Sequence, residues 1–484
     1  MSAAGSEAGG AGPGGADWGG KPLRLNGGLL RAQLAPVMAL LGPGVRVTLT
    51  GQELTARRPG VPGFTVSVTL GAAEYEGLQG WWSARVWSVD PAALRRLAAR
   101  AGTVMIGTRR GEGGLWAAWA TGAVRLSVGE AGAPSLLNGL EDAPEPGLVD
   151  WAGALFRGRQ VELSSAARRA LPFAVKEKAG STAEELRFAA AVLELRAGPP
   201  DKAGAAILAT DGACLAAIRA PKAWGTADRE FAREDGSPGD GVGLLTRDVL
   251  RFLGALGQYV GPWRPEDRQD VRLLFAPPEV LPLAGPNGVG PPEAPLCRRT
   301  VWIFVNGACV GRFEHDQRLP VWAKTAREVA WGELREPAVT VRVTAAELHR
   351  AARAVTVPQV RSKVWREVEA RLKVPRRPMA QRVVELSSCT VRADARESVV
   401  TALIPHDEPE HKQHKDVEVL VNPKYLLAIA EAVGGKGLER SRGSLLGSVE
   451  GLAWIRFQIG APTTPILATS GAGDQWIVMP MRGT

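Results

Sequence analysis

The sequence predicts an α+β fold made of three copies of one domain, each with two helices and antiparallel sheets. Two observations carry that prediction. Six segments begin at a capping residue and continue with helical apolar spacing, and they fall in pairs whose caps, at 26 and 90, 164 and 246, and 344 and 422, lie 64, 82 and 78 residues apart. Between them stand strand-like runs bounded by Gly, Pro or Asp, without the alternation of helix and strand that a parallel sheet demands. The copies are placed at 21–150, 151–332 and 333–484, after a flexible Gly/Ala tail over 1–20.

Each helix has its own start signal. The first is read over 26–42 in "LNGGLLRAQLAPVMALLG", closing on Gly42, and the second over 90–101, where Asp90 caps and Pro91 takes the first helical position, where its missing N–H costs nothing. The third, over 164–179 in "LSSAARRALPFAVKEKAG", is placed with Ser164 as cap. Thr246 opens 246–257 and Thr344 opens 344–355, the latter with Glu347 three residues on as a capping box. Asn422 and Pro423 open 422–433, which stops at glycine. Strands are expected in "VRVTLTGQELTARR", "FTVSVTL", "AVRLSV", "AAILATDGACLAAIRA", "DVRLLFA", "TVWIFVNGACVGRF", "RVVELSSCTVRA", "SVVTALI", "DVEVLVN" and "AWIRFQI".

A chain of 484 residues with 45% hydrophobic side chains can bury several cores. No apolar run reaches membrane-span length, and the first twenty residues lack the blocks of a signal peptide, so a cytoplasmic protein is expected. Cys214, Cys297, Cys309 and Cys389 are scattered without metal-binding spacing and are read as reduced and structural. The six helix segments hold 13 Lys/Arg against 5 Asp/Glu, so they carry +8 of the chain's net +9. A solvated face usually mixes signs, and this bias points to a polyanion such as nucleic acid. No Gly-x-Ser-x-Gly elbow, phosphate-binding loop or H-E-x-x-H occurs, and the carboxylates are dispersed, so neither an enzyme nor any cofactor is expected.

Three stretches together resemble one family. The ending "IVMPMR", the segment "ATDGACLAAIRAP" and "VNPKYLLAIAEAV" are similar to those of the bacterial sliding clamps, the processivity (beta) subunits of replicative DNA polymerase. The resemblance implies a head-to-tail homodimeric ring of six domains around double-stranded DNA, with the helices lining the hole. The cations implied for that wall are Arg31, Arg95, Arg96, Arg100, Arg168, Arg169, Lys176, Lys178, Arg247, Arg251, Arg350 and Arg353. They would touch phosphates without reading bases, which lets the duplex slide. A specialised second-copy, viral or plasmid clamp, or an architectural DNA-binding protein, are the alternative readings.

The resemblance also implies a pocket where the polymerase, the clamp loader and other partners dock peptides with apolar anchors. Its positions here are Thr210, Gly212, Leu215, Pro320, Lys324, Asn422, Tyr425, Ile477, Val478, Met479, Pro480, Met481 and Arg482. The methionines adapt to varied partners and Pro480 stiffens the chain between them. Where the family usually has "TDGHRL", this chain has "TDGACL", so Ala213 and Cys214 replace a basic pair expected at the pocket rim, and Lys324 stands where arginine is common. Two long insertions are read at 276–297, which is Pro/Gly-rich, and at 360–382, where eight basic residues meet two acidic ones and a helical pattern runs up to Pro375. The histidine-rich "HDEPEHKQH" is read as a charged hairpin turn rather than a metal site.

Overall fold

The computed structural model describes residues 17–20, 22–60, 62–71, 85–100, 102–127, 140, 154–175, 190–196, 204–219, 243–260, 270–276, 279–280, 296–318, 337–360, 369–375, 383–392, 395–405, 410–411, 416–434 and 453–481. Among these, the element order is one motif met six times: a strand, a helix entered directly from it, and three further strands. The first is β1 (Leu23–Asn26), α1 (Gly27–Leu40), β2 (Arg46–Thr50), β3 (Glu53–Arg58) and β4 (Gly63–Thr69); the second is β5 (Val86–Val89), α2 (Pro91–Ala98), β6 (Thr103–Arg109), β7 (Glu112–Trp119) and β8 (Gly122–Ser127). The third is β9 (Ala154–Arg159), α3 (Gln160–Ala170), β10 (Ala190–Arg196), β11 (Gly204–Thr210) and β12 (Cys214–Arg219). The fourth is β13 (Gly243–Thr246), α4 (Arg247–Leu256), β14 (Asp270–Phe275), β16 (Leu296–Val305) and β17 (Ala308–Arg318), with a two-residue β15 (Glu279–Val280) on β16. The fifth is β18 (Val339–Thr344), α5 (Ala345–Val360), β19 (Glu369–Val374), β20 (Val383–Arg392) and β21 (Ala395–Pro405), followed by the two-residue β22 (Glu410–His411). The sixth is β23 (Val417–Val421), α6 (Pro423–Gly434), β24 (Trp454–Ile459), β25 (Ile466–Ser470) and β26 (Gln475–Val478).

Five of the six caps sit where the sequence puts them. Asn26 accepts from the backbone N–H of Gly28 at 2.8 Å, Asp90 from Ala92 at 2.9 Å, Thr246 from Val249 at 3.3 Å, and Asn422 from Lys424 at 3.1 Å. Thr344 and Glu347 form both halves of a contact, the hydroxyl accepting from Glu347 N at 3.3 Å and donating to Glu347 Oε2 at 2.8 Å. Each such cap satisfies a helix N–H that has no partner inside the helix, worth about 1 kcal/mol. The third helix departs from expectation. It begins at Gln160, a turn before Ser164, whose buried hydroxyl donates instead to Gly254 O at 2.7 Å. It also ends at Ala170, because Pro172 lies in the 3-10 turn Leu171–Phe173 that follows.

The chain divides into two compact units, one of Met1–Ser164, Thr226–Phe231 and Arg251–Arg318, the other of Ser165–Gly225, Ala232–Leu250 and Leu319–Thr484. The first holds the sheets β5-β2-β3-β4-β17-β16-β14-β9 and β1-β6-β7-β8, both antiparallel. Helices α1 and α2 bury Leu30, Leu34, Val37, Leu94 and Leu97 against them. Their arginines cap each other's helix ends: Arg31 Nε donates to Ala98 O at 3.1 Å, and an Arg95 terminal nitrogen to Leu41 O at 3.1 Å. Such contacts satisfy carbonyls left open at a helix C-terminus. Where β4 meets β17, Phe64 and Phe252 flank Phe313 at centroid distances of 5.9 and 5.4 Å.

The second unit holds the sheets β13-β10-β11-β12-β26-β25-β24-β18-β22 and β21-β20-β19-β23. The helical pattern expected up to Pro375 is overturned at its end, because Glu369–Val374 is β19, an inner strand between β20 and β23. Ala370, Leu372 and Val374 are buried and Arg371 and Lys373 half-buried, the period-two pattern of a strand with one covered face. Residues 17–20, read as part of a flexible tail, are held. Gly19 N donates to Thr108 O and Arg110 N to Asp17 O, each at 2.8 Å, so the segment from Asp17 is docked beside β6. Most of "HDEPEHKQH" lies outside the described residues; Glu410 and His411 form β22, paired with β18.

Candidate partner-docking site

The site starts from the turn between β11 and β12. Thr210 Oγ1 accepts from Gly212 N at 3.1 Å, and Asp211 Oδ1 from Ala213 N at 3.1 Å and Cys214 N at 3.0 Å. Gly212 has φ 89°, a backbone conformation that side chains rarely adopt. Into this turn runs the end of the chain. β26 is paired on both sides, with Leu215 opposite Ile477 and Leu467 opposite Ile477 across the two ladders. Thr210, Leu215, Ile477 and Leu467 are successive cross-strand partners, so they share one sheet face. Cys214, Val478 and Ile466 occupy the other.

Past β26 the ladder stops but the chain stays held. Met479 N donates to Ala213 O and Met481 N to Leu420 O, each at 2.9 Å, while Pro480 between them has no N–H to satisfy. Exposure splits the tail: Trp476, Ile477 and Val478 are 0%, 6% and 0% exposed, whereas Met479 is 47% exposed. The apolar run at the end of the chain is therefore half central strand and half open edge. The third wall is the start of α6, where Tyr425, 7% exposed, donates its hydroxyl to Asp211 Oδ2 at 2.7 Å. Burial and then this bond push the Tyr425 pKa far above its ordinary value, so the phenol stays a donor. Lys424 Nζ lies 3.7 Å from the same carboxylate and 4.5 Å from the Tyr425 ring centre.

The fold thus gathers Thr210, Gly212, Leu215, Asn422, Tyr425 and Ile477 to Met481 from three remote stretches, while Pro320, Lys324 and Arg482 lie outside the described residues. Cys214 departs from the expected rim position. It is buried on the opposite sheet face, and burial followed by the Asp211 charge raises its thiol pKa, so the position is uncharged. Sequence reasoning missed Asp211, although Asp before Gly is a known turn signal.

The basic helix residues sort by what they touch. Arg31 and Arg95 hold helix ends, and Arg100 lies 4.4 Å from the Trp119 ring centre. Arg169 pairs with the buried Asp474 and donates to Arg219 O at 3.1 Å, and Arg247 donates to the carbonyls of Leu171 and Ala174. Arg251 is half-buried, and Arg96, Arg168, Arg350 and Arg353 are exposed. Lys176 and Lys178 lie outside the described residues.

The six-motif architecture has solved counterparts. The beta subunit of DNA polymerase III from Thermotoga maritima matches 96% of this chain and 100% of its own, with 12% identity and a TM-score of 0.53. The chain has the sliding-clamp fold. The clamp from Bartonella birtlesii, solved bound to griselimycin, matches 96% of this chain and 100% of its own at 14% identity and TM-score 0.53. The Bacillus subtilis clamp matches 95% and 99% at 11% identity and TM-score 0.52. No family model and no curated protein matches the sequence. Among the described residues, no helix of this clamp fold is long and apolar enough to cross a membrane.

Proposed function

We propose that this chain is a non-catalytic DNA sliding clamp: two copies close head to tail around duplex DNA and tether a replicative polymerase through the Thr210–Met481 docking site. The observation that carries the reading is the fate of the last strand of each motif. β4 pairs β17 and β12 pairs β26, so four of the six last strands join motifs into continuous sheets. The other two, β8 and β21, are outer strands of their four-stranded sheets. An open edge is a template for another chain, and β21 carries Leu403 at 59% exposure. Pairing β8 of each copy with β21 of the other uses both edges and closes the assembly, a head-to-tail contact whose rotation closes after two copies. Two motifs then form each of three domains, at 21–150, 151–332 and 333–484.

Sedimentation tests this directly. The chain is expected to run at twice its 51.2 kDa mass, and Leu403→Arg is expected to give a monomer with a near-native melt. A wild-type chain that stays monomeric at micromolar concentration overturns the closed dimer.

DNA contact is assigned first to Arg96 and Arg350, which are exposed and make no hydrogen bond or ion pair among the described residues. Arg96→Glu with Arg350→Glu is expected to shorten retention on circular duplex and to reduce the salt dependence by about one unit of slope per lost phosphate contact. Retention on linear DNA should be short for wild type and variant alike, since free ends release a topological link. An unchanged slope places both arginines away from the DNA.

A further inference from the structure

We propose that Asp211 is a positioning residue for the docking site, its one carboxylate fixing both the turn that holds Met479 and the Tyr425 side chain of α6. The inference rests on the docking reading above. Oδ1 is used locally, accepting from Ala213 N and Cys214 N at 3.1 and 3.0 Å. Oδ2 points to α6 and accepts the Tyr425 hydroxyl at 2.7 Å, with Lys424 Nζ at 3.7 Å. The same turn supplies the Ala213 carbonyl that holds Met479 N at 2.9 Å. A single charged side chain, itself three-quarters buried, therefore ties the turn to α6 directly and meets the tail through the Ala213 carbonyl.

The consequence falls on affinity. Without the carboxylate, a hydroxyl on a 7% exposed side chain loses its acceptor, and the Tyr425 ring loses the contact that fixes its orientation. A docking peptide must then order the wall as it binds, so affinity falls although no apolar contact residue has changed.

The test uses the full chain and a short fluorescent peptide with leucine and phenylalanine anchors. Asp211→Asn keeps an oxygen for the two turn N–H groups and presents an amide to Tyr425; Tyr425→Phe removes the hydroxyl. Each is expected to raise the peptide Kd about tenfold, and the double variant no further than the larger single effect, because both act on the one hydroxyl–carboxylate contact. The chain has three tyrosines, so ring-labelled NMR gives a Tyr425 signal that disappears in Tyr425→Phe. That signal is expected to shift in Asp211→Asn without peptide. Wild-type binding with unchanged affinity in the variants, or effects that multiply in the double, overturns the role of Asp211. A wild type that does not take the peptide overturns the docking reading itself. Should Asp211→Asn melt early, the affinity of Tyr425→Phe alone decides.

Discussion

Arg169→Ala is expected to cost about 3–5 kcal/mol of stability, because it strands a buried carboxylate rather than removing a surface charge. Asp474 is 1% exposed and also accepts from Arg219 N at 2.8 Å, so it cannot turn to water when the guanidinium is lost. Burial already pushes its pKa above the ordinary carboxylate value, against the pull of Arg169 and of the Arg219 N–H. Removing Arg169 raises it further. A carboxyl whose folded pKa exceeds its unfolded one gains stability as pH falls through the folded value. The deficit of Arg169→Ala relative to wild type is therefore largest at neutral pH and narrows on acidification toward the unfolded value near 4. Melting of both proteins between neutral pH and about pH 5 checks this, with a drop of roughly 10 °C expected at neutral pH. A deficit that does not change with pH removes Asp474 from the explanation.

The end of the chain gives the second large effect, and it separates packing from docking within six residues. Trp476→Ala deletes a fully buried side chain from a central strand and is expected to cost about 3–5 kcal/mol. Met479→Ala with Met481→Ala removes side chains beyond the sheet, Met479 being 47% exposed, and is expected to leave the melt near native while abolishing binding of an anchor peptide. Thermal melting and a peptide titration on both variants decide. A large melting loss in the methionine pair with retained peptide affinity would show that these residues are core.

Much of this was legible in the sequence where the cause is local. Caps act over two or three residues, so Asn26, Asp90, Thr246, Thr344 and Asn422 announced their helices. Ser164 misled because a Ser-Ser pair looks like a cap while its hydroxyl is spent on Gly254, 90 residues away. Strands β1, β5, β13 and β26 were missed because four residues are too few to show a period, and the longer β6, β7, β9, β10, β18 and β25 were missed as well. The stretch 369–374 was taken for helix because its charged residues fit both periods, and only pairing with β20 and β23 decides between them.

The sequence by itself determined six helices, their positive charge and a repeated α+β pattern, since propensity, capping and hydrophobic period act between neighbours in the chain. Tertiary structure alone decided which strands join, which arginines are committed and which tail residues are open. Arg169 looks like any helix-face cation until Asp474 arrives from 305 residues away. Likewise Trp476 and Met479 lie three positions apart in one short apolar run, yet β12 and β25 enclose the first and leave the second at the edge. Burial is a property of what packs against a residue, and those partners are brought by contacts that local sequence does not encode.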